Sequence, residues 1–237
     1  MRLRQICLVA ETLEPTVGQL CEQLGMDICF RDDSVAKYGL VNAVMPLGNE
    51  FLEVVAPVEE NTAAGRYLDR RGGDGGYMVI LHGDDAHADR ERITALGVRA
   101  AHPIERPNYI ATHFHPSDCA GILLSVDSVP GADPRVADAE WPPAGPDWRQ
   151  HQRADKGLGL VGAELQHTDP DMMATLWGKI LDLPVTERSI RLDGADLRFV
   201  AATDGRGPGL GGIDVKMKDR STAGQELMIG GTRIYLV

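Results

Sequence analysis

Short apolar runs and helical patterns alternate along this chain in a fixed rhythm. Residues 3–30 read LRQICLVAETLEPTVGQLCEQLGMDICF, residues 77–104 read YMVILHGDDAHADRERITALGVRAAHPI, and residues 160–186 read LVGAELQHTDPDMMATLWGKILDLPVT. Each stretch opens on an apolar run of strand type. Each then passes an acidic or Thr turn able to cap a helix: Glu11-Thr12, Asp84-Asp85 and Thr168-Asp169. A helical pattern follows; in the first copy Leu13, Val17, Leu20 and Leu24 recur at spacings of three and four, one face of a helix. The patterns stop at Leu24-Gly25, Leu96-Gly97 and Leu181-Asp182, where Gly suits a left-handed cap.

The register repeats as well as the pattern. Gln5 to Gly25 is 20 residues, Met78 to Gly97 is 19, Gly162 to Asp182 is 20, and a shortened fourth copy gives 19 from Gly212 to Gly231. Strands are expected after the helix at 27–30, 40–47 and 51–55 in the first copy, and at 98–104, 109–115 and 122–126 in the second. The third copy offers 184–189 and 195–201, and the fourth ends after one strand at 233–237. The fold class expected is α+β: paired βαβββ modules forming curved mixed sheets around a concave cleft, four modules in all, the last truncated. Residues 130–157 carry five prolines and few aliphatics, which reads as a linker. The expected organisation is a domain over 1–129, the linker over 130–157, and a second domain over 158–237, with the tryptophans of WPPAGPDW pinning the linker to the surface of one half.

Composition narrows the partners. Hydrophobic residues make up 43% of 237 and aromatics only 5%, enough for a sizeable aliphatic core. The net charge of −11 repels phosphate backbones and anionic lipid, so neither nucleic acid nor a membrane is an expected partner. Cys7, Cys21, Cys29 and Cys119 form no CxxC pair and read as buried reduced thiols. The apolar run before Glu11 is too short for a signal sequence, so a cytoplasmic location is expected. The glycine runs at 72–76 and 205–212 lack a phosphate-loop pattern and read as turns. Arg66, Arg70 and Arg71 read as a solvated basic helix face or as an anchor for an anionic substrate. No Ser/His/Asp or Cys/His constellation stands at a recognisable spacing.

A βαβββ unit used in pairs, with HFHPSDCAGILLSVD at 113–127 as a closing hairpin, resembles the vicinal oxygen chelate superfamily: glyoxalase I, bleomycin-resistance proteins, extradiol dioxygenases and methylmalonyl-CoA epimerase. The resemblance covers nearly the whole chain apart from the linker. It implies a divalent metal held in the cleft by His, Gln or Glu from the first and last strands of two paired modules. Carried onto this chain, those positions are Gln5 and Glu53 in the first copy, Met78 and Ser125 in the second, and Gly162, Gly212 and Arg198 in the second half. Only Gln5 and Glu53 are metal-type ligands, so the resemblance leaves half a metal site and no identified cofactor. Met78, Ile80 and His82 share one face of their strand, and His113 and His115 share a face of theirs, which leaves a displaced ion near Glu53 as an open route.

Two functions follow. In one, a small-molecule lyase or isomerase acts next to a carbonyl: Glu53 is the base, His113 and His115 are further acid/base candidates, and Gln5, Cys7, Met78, Ile80, His82 and Ser125 line the substrate. In the other, the apolar face of Cys7, Val9, Val55, Ile80 and Leu123 sequesters a ligand without chemistry, as a bleomycin-resistance type does. Glu53 then serves only as a hydrogen-bond partner of Gln5. The histidines also read as structural residues, His113 and His115 as a strand-end pair and His82 near a helix start. The partners expected are a small-molecule ligand and a second copy in a homodimer, with the C-terminal half completing the repeat.

Overall fold

The computed structural model describes residues 1–237 and places the repeat in two seven-stranded sheets. The first copy contributes β1 (Arg2–Val9), α1 (Leu13–Leu24), β2 (Leu40–Leu47) and β3 (Glu50–Pro57). The run at 27–30 adds only the bridge Phe30–Val44. After α2 (Ala63–Arg71), the second copy contributes β4 (Gly75–His82), α3 (Ala86–Ala95), β5 (Ala100–Arg106), β6 (Tyr109–Phe114) and β7 (Leu123–Ser128). These strands form the first sheet in the order β2-β3-β1-β4-β7-β6-β5.

The third copy gives β8 (Gly157–His167), α4 (Pro170–Leu181), β9 (Val185–Thr186), β10 (Ser189–Arg191) and β11 (Asp196–Ala201). The fourth gives β12 (Gly209–Met217), β13 (Glu226–Ile229) and β14 (Thr232–Leu236), and the second sheet runs β13-β14-β12-β8-β11-β10-β9. A 3₁₀ turn at 220–222 replaces the helix of this copy. Its end differs from expectation: two strands close it instead of one. Gly230 and Gly231 have φ of 51° and 63°, the two-residue geometry that folds β13 back on β14.

In each sheet two modules meet through antiparallel first strands, β1 with β4 and β8 with β12. Apart from Leu158 near the start of β8, each of these strands leaves one residue out of the pairing: Arg4, Tyr77, Val161 and Gly211. Each bulge directly precedes the position the repeat picked out: Gln5, Met78, Gly162 or Gly212. A bulge turns two successive side chains to one face. Thus Arg4 and Gln5, and likewise Tyr77 and Met78, lie on the concave side, while Leu3, Ile6 and Val79 face the core.

Ala64, Tyr67 and Leu68 of α2 pack on the concave side, while helices α1, α3 and α4 pack on the opposite face. One continuous core of 42 buried residues joins that face of both sheets with α1 and α4; Leu8, Leu52 and Leu81 lie in it beside Leu165, Trp177 and Ile213. Arg71 donates to the carbonyls of Arg206, Gly207 and Pro208, and Arg206 donates back to those of Arg71, Gly73 and Asp74. Arg71 is therefore a clasp between the halves rather than part of a solvated basic face. No helix is long and apolar enough to cross a membrane.

The Pro-rich segment of 130–157 lies against the first sheet. Trp141 and Trp148 are fully buried, and with Ala144 they belong to a second cluster of 16 residues on the concave face of the first sheet. Their indoles pack edge-on against Phe51 and Tyr109 in the part of the cup that α2 leaves open, so the Pro-rich segment becomes a strap across it.

Candidate functional site

The floor of the first sheet's cup centres on Glu53 of β3. Its side chain points away from the core, between Phe51 and Val55, as strand alternation requires. Glu53 Oε2 accepts from Gln5 Nε2 at 2.8 Å and Oε1 from Asn42 Nδ2 at 2.7 Å. Burial raises the Glu53 pKa, and hydrogen bonds from Asn42, Cys7 and Gln5 oppose that shift. Cys7 is pushed well above the usual thiol range, first by burial and then by Glu53. Gln5 Oε1 accepts from Trp141 Nε1 at 2.8 Å. An indole N–H only donates, so it fixes the Gln5 amide with its oxygen toward the strap and its nitrogen toward Glu53.

A second polar group lies where β4 and β7 run side by side. His82 pairs in register with Asp127. Asp127 is fully buried and accepts from Tyr109 and from Ser125 Oγ. Burial raises its pKa to about 7 against the pull of Ser125, Tyr109 and the Thr112 amide. His82 is fully buried with neither ring nitrogen hydrogen-bonded, and its ring lies 5.2 Å from that of Trp141. Burial, then Arg4 and Arg2, lower its pKa to about 4, so it is neutral at physiological pH. Arg4 stands over the rings of Phe51, Trp141 and Trp148, and its acceptors are the carbonyls of Ala137 and Ala139.

Of the residues expected at the site, Gln5, Cys7, Glu53, Met78, Ile80, His82 and Ser125 share the concave face. His113 also faces it, half-buried, 5.6 Å from His102 ring to ring. Burial and then His102 lower its pKa to about 4. His102 is joined to Tyr38 by a 2.6 Å hydrogen bond. His115 does not share the face of His113. β6 ends at Phe114, alternation stops there, and His115 caps the turn at 116–119, accepting from Ser117 and facing Arg99. Arg4, Asn42, Tyr109, Asp127 and Trp141 escaped the sequence reading. Asp127 was within reach, because it follows Ser125 by two residues and so shares its face.

The metal implied by the resemblance does not suit this donor set. The Gln5 oxygen accepts from Trp141, both Glu53 oxygens accept amide hydrogens, Met78 offers a thioether, and Ser125 donates to Asp127. Nowhere do three His, Cys, Asp or Glu side chains converge. In the second sheet Gly162 and Gly212 face a network in which Arg198 bonds Asp214 at 2.7 Å, while Arg233 and Tyr235 bond Glu164 at 2.7 and 3.0 Å. A Cβ at Gly162 would lie 2.2 Å from Asp214, so this network fills the space that a ligand side chain would use.

A model of the glyoxalase-like domain matches residues 6–181, more than half of the chain. The structure is similar to a variant of Streptomyces coelicolor methylmalonyl-CoA epimerase in complex with 2-nitronate-propionyl-CoA, with a TM-score of 0.50 and 22% identity over 55% of this chain and 96% of that one. It is similar along its length to a hypothetical protein from Staphylococcus aureus, with a TM-score of 0.71 and 11% identity over 99% of this chain and 98% of that one. No curated protein matches. At these identities the two structures establish a shared fold, which in the second case embraces both sheets. With paired modules, bulged first strands and the matched domain in place, the chain belongs to the glyoxalase-like family within the vicinal oxygen chelate superfamily.

Proposed function

We propose that the concave face of the first sheet binds a small apolar or amphipathic molecule and holds it by burial, with no resident metal. One observation carries this reading: three of the four superfamily ligand positions, Gln5, Glu53 and Ser125, are hydrogen-bonded within the protein, the fourth is the thioether of Met78, and the floor around them is apolar. Val55, Met78 and Ile80 form that floor, with half-buried Tyr77 and Leu123 beside them. A surface of this kind takes a ligand by area and orients it with few polar groups. A thermal-shift screen of apolar and amphipathic metabolites on metal-free protein tests the reading. Stabilisation by members of one chemical class is expected, unchanged by added divalent ions. A protein stabilised only when such an ion is present would refute it.

A second reading has its own support in Glu53. A buried carboxyl with a raised pKa, among apolar neighbours, can accept a proton from carbon next to a carbonyl. The Streptomyces coelicolor epimerase of the same fold is an isomerase by name, which supports this reading. Deuterium incorporation at that carbon in a bound thioester, lost in Glu53→Gln with binding retained, is the expected outcome. Exchange that survives the substitution rules Glu53 out as the base.

A further inference from the structure

The strap crosses the cup without joining either sheet. Its backbone hydrogen bonds are local: Val136 to Asp133, Ala139 to Val136, Ala144 to Trp141, Gly145 to Pro142 and Gln150 to Asp147. Side chains hold it instead: Arg135 of the strap pairs with Asp84, Cys29 donates to the Ala144 carbonyl, and β1 supplies the rest. Arg2 donates to the carbonyls of Val136 and Ala137, Arg4 to those of Ala137 and Ala139, and Gln5 accepts from Trp141. The strap can therefore lift from the cup without breaking a strand ladder.

The match between strap and cup is also incomplete. Arg4 is a fully buried guanidinium whose only acceptors are two neutral carbonyls, and its Nε has no partner. Trp148 Nε1 and both nitrogens of His82 are buried and unpaired as well. Arg4 and His82 lie against the same Trp141 ring, at 5.4 and 5.2 Å. Buried donors left unpaired weigh against a closed state. A guanidinium fork binds a carboxylate through two parallel charge-assisted bonds, more strongly than it binds neutral carbonyls.

We propose that the strap is a built-in plug and that the ligand displacing it is an amphipathic carboxylate. The head pairs with Arg4 in place of the Ala137 and Ala139 carbonyls. The apolar chain covers the floor that the two indoles cover now. The proposal rests on the concave face being the ligand site, and it adds the head group and the competition with the strap. Because opening precedes or accompanies binding, the apparent affinity equals the intrinsic one reduced by the open fraction, and a looser plug means tighter binding.

The test uses the full chain with decanoate and 1-decanol, which share an apolar chain and differ in the head. Two of the three tryptophans lie on the strap, so their emission reports its position, and trypsin cleavage after Arg135 and Arg149 reports its release. Decanoate is expected to red-shift the emission and speed cleavage at concentrations where decanol does neither. Trp141→Phe, which loses the bond to Gln5, is expected to tighten decanoate binding about fivefold. Arg4→Met is expected to abolish the preference for decanoate over decanol. If both probes stabilise the protein equally and the strap signals stay fixed, the plug is refuted while the cleft reading stands. Unchanged decanoate affinity in Trp141→Phe refutes it too, whether or not Arg4→Met folds. If neither probe binds, the plug is refuted, while the cleft reading still answers to its own metabolite screen.

Discussion

Asp127 shows how one buried group sets a pH dependence. Its carboxyl titrates near 7 in the fold because burial penalises the anion, against about 4 for an unfolded Asp. A raised carboxyl favours the fold while both states are protonated, and that contribution is lost as pH rises from about 4 to about 7. His82 and His113, held to about 4, act with the opposite sign between about 4 and 6.5, since their neutral forms belong to the fold. Comparing Asp127→Asn with the parent cancels the histidines. The unfolding free energy of the variant relative to the parent should rise by a few kcal/mol between pH 4 and 7, measured by urea unfolding; a flat difference would contradict the assignment. The sequence made Gln5 and Glu53 legible at this scale, because a repeat register and strand alternation both lead to them. It hid Arg4, because simple alternation sends that residue to the core and only the bulge turns it into the cup. Trp141 was hidden by distance along the chain: its partner Gln5 is 136 residues away.

Helix ends carry the repeat into local structure. Gly25, Gly97 and Asp182 occupy matching stops, and all have positive φ, 69°, 87° and 53°. Glycine takes this conformation without steric cost, whereas Asp182 crowds its Cβ against the backbone. Asp182 is exposed and its φ already suits Gly. Asp182→Gly should therefore stabilise the protein by about 0.5–1 kcal/mol, read as a shift in denaturant midpoint; a loss of stability would show that Asp182 has a contact worth more than its strain. The elements most legible in the sequence were those with such punctuation. The 27–30 run failed to extend into a strand because it meets β2 at one bridge only, and the fourth helix failed because the run after Asp219 is short, polar and interrupted by glycine.

At the scale of the molecule the two halves share one core. Trp177 of α4 donates to the Cys119 carbonyl, and Arg92 of α3 donates to the Ile180 carbonyl at the end of α4. Gly48 approaches Leu158 so closely that a Cβ there would lie 2.3 Å from the Leu158 carbonyl oxygen. Contacts of this closeness make independent unfolding of the halves costly. Unfolding followed by far-UV circular dichroism and by tryptophan emission should give one coincident transition, since the tryptophans are divided between strap and α4. Two separated transitions would mean that the sheets are autonomous. A Pro-rich segment between similar halves reads as a linker in the sequence, because proline content reports the absence of a ladder but not what the neighbouring indoles bury.

The residue left over in each first strand has an effect on how such a protein can change over generations. A one-residue slip in a plain strand exchanges its two faces, so the cup could not be altered in register without disturbing the core. Here the extra place is absorbed locally, and the inventory of the cup is free of the inventory beneath it. The first sheet fills its extra places with Arg4 and Tyr77, and the second holds Val161 and Gly211. Duplicate scaffolds with uncoupled faces allow one cup to keep its side chains while the other drifts to a different set.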